Sequence, residues 1–163
     1  MLDTSYGVSC VVRSQHLFVY GSLCAPEVMA AVTGLRMRAV TARLANHRVL
    51  ALRGEVYPGL TCAQGHQANG RLYRAVPDWA LRRLDTFEGR WYERVPVHVQ
   101  LADAAGECEL RAHAYRLHPS ALSRACATGW AFDVFMQTQR RRFAQVWRDR
   151  RRRRGPRREL ARV

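Results

Sequence analysis

Between Arg94 and Ala114 the chain alternates apolar and polar residues with a period of two. Val95, Val97, Val99 and Leu101 are interleaved with Arg94, Pro96, His98 and Gln100. After a turn over Ala102 to Gly106, the residues Cys108, Leu110, Ala112 and Ala114 resume the pattern. This is the signature of two half-buried strands joined as an antiparallel hairpin. A hairpin with one apolar face is not stable alone, so the rest of the chain has to cover that face.

The remaining segments supply the cover. His16 to Tyr20 reads as a short strand entering a tight loop at Gly21-Ser22. Pro26 to Val32 reads as a short helix stopped by Gly34. Strands are expected over Arg43 to Leu52, Glu55 to Tyr57 and Gly70 to Val76, with a polar loop over Cys62 to Asn69. Pro77 suits the first turn of a helix, whose apolar face carries Ala80, Leu84 and Phe87 and whose C-cap is Gly89. A last helix spans about Trp130 to Trp147, and its stripe of Phe132, Phe135, Met136, Gln139, Phe143, Val146 and Trp147 reads as core packing. Many strands with two or three helices predict an α+β domain, a small closed β-barrel flanked by helices. Residues 1–14 read as a loose leader, 15–147 as the folded domain and 148–163 as a disordered, arginine-rich tail.

At 163 residues the chain can bury a core without disulfides or a structural metal. The five cysteines, at 10, 24, 62, 108 and 126, are odd in number and contain no C-x-x-C, so reduced thiols are expected and no metal site. No stretch approaches the ~18 apolar residues of a membrane span. The opening Met1-Leu2-Asp3 carries an acid where a secretory signal carries positive charge, so a cytoplasmic protein is expected. The formal charge of +14 is local: twelve arginines between 140 and 163 stand against Asp149 and Glu159. All 27 basic residues are arginine, a bias that can reflect base composition. Two readings of the tail stand: an arm making weak contact with nucleic acid or an anionic surface, or a solvated extension whose like charges repel.

Two segments carry chemistry. Val19-Tyr20-Gly21-Ser22-Leu23 runs a strand into a glycine turn, which can aim backbone N–H groups at an anion or a carbonyl oxygen. In Leu84-Asp85-Thr86-Phe87-Glu88-Gly89, the helix ends on Glu88, at the negative pole of its dipole and one turn after Asp85. Both neighbours push the Glu88 pKa upward, the direction a general acid/base needs. The competing reading is a screened surface glutamate. Cys24 lacks an evident base beside it and reads as a packed thiol.

Together these segments resemble the gamma-glutamylcyclotransferase-like superfamily, in particular its avirulence-induced-gene-like branch and the gamma-glutamylamine cyclotransferases. The residues that carry the resemblance are Phe18-Val19-Tyr20-Gly21-Ser22-Leu23, Tyr57-Pro58-Gly59-Leu60, the strand Gly70 to Val76, and Leu84-Asp85, Phe87-Glu88-Gly89, Tyr92 and Arg94. Gly129-Trp130-Ala131-Phe132-Asp133-Val134-Phe135 is similar to the tryptophan-led helix of the plant branch. The resemblance implies a barrel with a cavity at one end, and Glu88 as the acid/base that moves a proton from the substrate α-amine. It also implies that the loop Tyr20, Gly21, Ser22 and Leu23 binds a glutamyl group, that Tyr92 approaches the carboxylate, and that Arg94 braces the helix-to-strand junction. The implied substrate is a small γ-glutamyl amine or γ-glutamyl amino acid, the product 5-oxoproline, and no cofactor or metal is implied. The rival reading is a non-catalytic binding protein whose basic tail engages nucleic acid.

Overall fold

The computed structural model describes residues 14–103 and 106–153, and for 102, 103, 106 and 107 the backbone alone. In chain order it runs β1 (Ser14–Val19), α1 (Pro26–Thr33), β2 (Ala39–Leu52), β3 (Pro58–Pro77), α2 (Asp78–Glu88), β4 (Tyr92–Asp103), β5 (Gly106–Leu117), β6 (Ala125–Gly129), α3 (Phe132–Thr138) and α4 (Arg140–Arg153). The sheet order is β3-β1-β5-β4-β2-β6, and β2 also pairs with β3, so five strands curl into a ring and β6 lies outside it. The expected hairpin is β4–β5, in register from Tyr92↔Leu117 to Asp103↔Gly106. All pairings are antiparallel except β1 with β5, where Leu17 meets His113 and Phe18 meets Ala114.

The ring explains why His16 to Tyr20 lacks alternation. Successive residues of a strand point to opposite faces, and here both faces are covered. Phe18 joins Leu44, Leu60, Leu72, Val99 and Ala114 on the inner face, whereas Leu17 and Val19 pack outward against α1 and α2 with Val28, Met29, Leu81 and Leu84. Where β3 crosses β1 the two backbones nearly touch. A Cβ on Gly70 would lie 2.2 Å from the Val19 carbonyl oxygen and 2.7 Å from the Phe18 ring, so only glycine fits.

Three expectations are corrected. Cys62 to Asn69 is not a loop: it continues β3, paired with β2 from Cys62↔His47 to Asn69↔Arg43. Residues 64–67 are exposed, so the strand lacks the apolar alternation that would reveal it, and the register shifts between Ala45 and His47. Asn46 takes a left-handed conformation there (φ 57°), and its Oδ1 accepts the Gly65 N–H at 3.1 Å. Glu55 to Tyr57 is a bend rather than a strand, and Pro58 opens β3. The single helix expected over 130–147 is two, α3 and α4, broken at Gln139, and α4 continues to Arg153. Arg151 Nε donates to the Ala31 carbonyl at 3.0 Å, so the last turns of α4 are held against α1. Of the leader expected over 1–14, Ser14 opens β1 and residues 1–13 lie outside the described residues; of the tail expected over 148–163, residues 148–153 belong to α4 and residues 154–163 lie outside them. Among the described residues no helix is long and apolar enough to cross a membrane.

Gly70→Ala should lower stability by about 1–3 kcal/mol, the usual cost of overpacking, and the added methyl meets backbone rather than a yielding side chain. Urea unfolding would read this directly; a midpoint equal to wild type would mean β1 and β3 can separate without cost.

Candidate functional site

The site begins where β1 leaves the sheet. Tyr20 follows the last strand residue, Val19, and its hydroxyl donates to the Tyr115 carbonyl at 2.7 Å. Gly21 follows because Pro58 lies against it: a Cβ would sit 2.8 Å from the proline Cγ. Ser22–Cys24 then forms one 3₁₀ turn, with the Cys24 N–H donating to the Gly21 carbonyl at 2.9 Å. The N–H groups of Ser22 and Leu23, first in the turn, have no acceptor within it.

Glu88 comes from the end of α2. That helix buries Ala80, Leu81 and Leu84 against the sheet. Glu88 is four residues beyond Leu84, hence on the same inward face. The sequence sets its side chain among apolar groups by periodicity alone. The carboxyl is pushed up to about 8, chiefly by burial and secondly by the charge of Asp85. Among the described residues no hydrogen bond or ion pair reaches it.

Asp85 has a different environment. Arg94 grips it with Nε–Oδ1 at 2.9 Å and Nη2–Oδ2 at 3.2 Å, and the Tyr115 hydroxyl donates to Oδ1 at 2.7 Å. Arg94 Nη1 also donates to Gln15 Oε1 at 2.7 Å. One turn of helix therefore holds two carboxyl groups in contrasting surroundings, the first gripped by a guanidinium and a phenol and the second biased toward its neutral form.

The turn and the helix end meet in a cavity of about 630 Å³. Its walls include Tyr20, Gly21, Ser22, Leu23, Glu88 and Tyr92, so all six residues singled out from the sequence converge on one space. Tyr92 donates its hydroxyl to the Pro58 carbonyl at 2.7 Å. Burial is the main reason the Tyr20, Tyr92 and Tyr115 phenols are held above their usual range, and Glu88 adds to all three. These hydroxyls keep their protons and are already donating, so they shape the rim. Cys24 is buried, donates to the Val19 carbonyl at 3.4 Å, and is pushed up to about 12 by burial, as a packed thiol should be. Among the described residues no three His, Cys, Asp or Glu side chains gather to hold a metal ion.

The opposite wall was not foreseen. Gln139, at the break before α4, and Arg142, Phe143, Val146, Trp147 and Arg150, along α4, line the cavity. Phe87 joins the walls, with its ring 4.6 Å from Trp147 and 6.0 Å from Phe143, and Phe143 stands 6.3 Å from Tyr57. The aromatic stripe is therefore both core and cavity wall. Tyr115 was also missed, because Ala114 and Tyr115 are consecutive and both buried where alternation would expose one of them.

A carboxyl with a folded pKa near 8 and an ordinary value of 4.5 binds more protons in the folded than in the unfolded chain between those pH values. Stability is therefore fully present below 4.5 and declines as pH rises toward 8. Glu88→Gln removes that decline. Its Tm relative to wild type should climb between pH 4.5 and 8 and then level off; a pH-independent difference would mean that Glu88 titrates normally.

The chain matches the family described as gamma-glutamyl cyclotransferase, AIG2-like, over residues 17–131. AIG2-like protein C of Arabidopsis thaliana is 32% identical over 100 residues, which cover 61% of this chain and 58% of the relative. The chain thus spans less than two thirds of the length of that curated relative. A solution structure of an Arabidopsis thaliana protein superposes with a TM-score of 0.61 at 26% identity, covering 88% of this chain and 86% of that one. A structure named gamma-glutamyl cyclotransferase shares the fold at 18% identity, with a TM-score of 0.56 over 65% of this chain and 68% of its own. With its strand-to-turn loop, its helix-terminal glutamate and its ring-like sheet flanked by helices, the chain belongs to the AIG2-like gamma-glutamyl cyclotransferase family.

Proposed function

We propose that the protein is a γ-glutamyl cyclotransferase, releasing 5-oxoproline from a small γ-glutamyl compound, with Glu88 as the proton shuttle. The observation that carries this reading is a half-buried carboxyl, held near 8, facing the same cavity as the turn Tyr20–Leu23. An α-amine arrives protonated and cannot attack until it loses a proton. The Glu88 carboxylate accepts that proton, the amine nitrogen bonds to the γ-carbonyl carbon, and a five-membered ring closes. Glu88 then delivers the proton to the leaving nitrogen as the γ-amide C–N bond breaks, and the second proton, shed by the ring nitrogen, completes the ammonium of the released amine. The N–H groups of Ser22 and Leu23 are the donors available to the oxyanion formed between these steps. Because nucleophile and electrophile lie in one molecule, positioning supplies much of the rate, and a shaped, largely apolar cavity suffices. A carboxyl near 8 is matched to this work, since it takes and returns a proton near neutral pH at small cost in either direction.

Glu88→Gln keeps the side-chain volume but cannot shuttle a proton, so turnover should fall by roughly 10²–10⁴-fold. A panel of γ-glutamyl compounds assayed for 5-oxoproline is the test. Normal turnover by a folded Glu88→Gln variant would remove Glu88 from the mechanism. In wild type, kcat should rise with pH toward a plateau above about 8, as the carboxylate form accumulates. Asp85→Asn removes the charge that adds to the Glu88 shift, so the rising limb should move to lower pH. An unmoved limb would show that Asp85 does not act on Glu88 electrostatically.

A further inference from the structure

Three arginines of α4 are held by neighbouring groups. Arg140 pairs with Glu27 at 2.8 Å, Arg148 donates to Gln145 at 3.0 Å, and Arg151 is bonded to the Ala31 carbonyl. Arg142 and Arg150 instead line the cavity, and among the described residues neither makes a hydrogen bond or ion pair. The Arg150 guanidinium lies 4.8 Å from the Trp147 ring centroid, a contact that fixes the group while leaving its N–H edge open.

The third charged group of the lining is Glu88, whose proton is held up to about 8, so at neutral pH the cavity carries two cations facing no full negative charge. Such a wall attracts an anion and gives a neutral zwitterion little. Spacing narrows the choice. Eight residues separate the arginines, so their Cα atoms lie about 12 Å apart along the helix axis, with Val146 and Trp147 between them. Ring closure needs the α-amine against the γ-carbonyl, so the glutamyl part is folded, and the two carboxylate carbons of a γ-glutamyl amino acid, seven bonds apart along the chain, stand roughly 6 Å from each other. Adding a guanidinium contact at each end reaches the span between the two arginines. A γ-glutamyl amine has one carboxylate and leaves one arginine without a partner.

We propose that Arg142 and Arg150 are specificity residues that receive the two carboxylates of the substrate, and that the protein selects γ-glutamyl amino acids over γ-glutamyl amines. This rests on the cyclotransferase reading and names the leaving group within it.

γ-Glutamyl-L-alanine and γ-glutamyl-ethylamide differ by the leaving-group carboxylate alone, so their kcat/KM ratio for 5-oxoproline release reads the proposal. Wild type should favour the alanine compound by about tenfold or more, the scale of a charge-assisted contact. Added salt should narrow the preference, since both arginines are solvent-accessible. The Arg142→Gln/Arg150→Gln double variant should bring the ratio near one. Arg141→Gln, outside the lining, should preserve the wild-type ratio. A wild-type ratio near one, a ratio retained by the double variant, or an equal loss in Arg141→Gln overturns the proposal. Release from neither compound would sink the cyclotransferase reading separately. Titration calorimetry with the same two compounds then decides the arginines: a wild-type preference lost in the double variant upholds the recognition, and equal affinities overturn it.

Discussion

Asp85 ties the end of α2 to three strands at once. Its carboxylate takes two hydrogen bonds from Arg94 on β4 and one from Tyr115 on β5, and Arg94 reaches on to Gln15 of β1. A bidentate guanidinium–carboxylate pair fixes orientation as well as distance. Both side chains are only partly buried, at 40% and 26% exposure, so the contribution is geometric more than energetic. Geometry is what the site needs. Glu88 follows three residues later on a rigid helix, and any rotation of α2 would turn it toward solvent.

The same constraint separates two carboxylates that lie within one helical turn. Asp85 is gripped by a guanidinium and a phenol. Glu88 has neither, and both its burial and the charge of Asp85 oppose its ionisation. The clamp therefore positions Glu88 and at the same time tunes it. The tyrosines complete this arrangement by donating to backbone carbonyls and to Asp85, leaving no phenol among those three to neutralise the glutamate.

The aromatic C-terminal helices close what the strands leave open. Phe135, Phe143, Trp147 and Phe87 stack edge to face, and that cluster joins α3, α4 and α2 into one wall. The break at Gln139 lets α4 change direction and run along the cavity. One side of the cavity thus comes from the turn after β1 and the end of α2, and the facing side comes from α4. The first is built around backbone close approach, Gly21 against Pro58, and the second from long side chains that can vary without disturbing the turn.

Local pattern determined much of this protein. The period of two set β4 and β5, the 3.6 spacing of Ala80, Leu84 and Phe87 set α2, and the stop at Gly34 bounded α1. Tyr20 to Leu23 and Glu88 were identifiable as a glycine turn after a strand and a carboxylate at a helix end, whereas Tyr92 was singled out only by the family resemblance. Where both faces of a strand meet the same environment, the pattern vanishes. Residues 64–67 are exposed on both faces and looked like a loop, and Ala114-Tyr115 is buried on both and hid a tyrosine that holds Asp85. Tertiary structure alone decided the convergence. Asp85 and Tyr115 are 30 residues apart, and Arg142 lies still further along the chain from Glu88, so no local spacing could place them together. Ring closure through β2 and β3 brings β5 beside β1, and the packing of α4 against α1 then lays two arginines on the cavity. A sequence records which residues prefer to be buried; which buried residues meet is set by the topology that satisfies all of those preferences together.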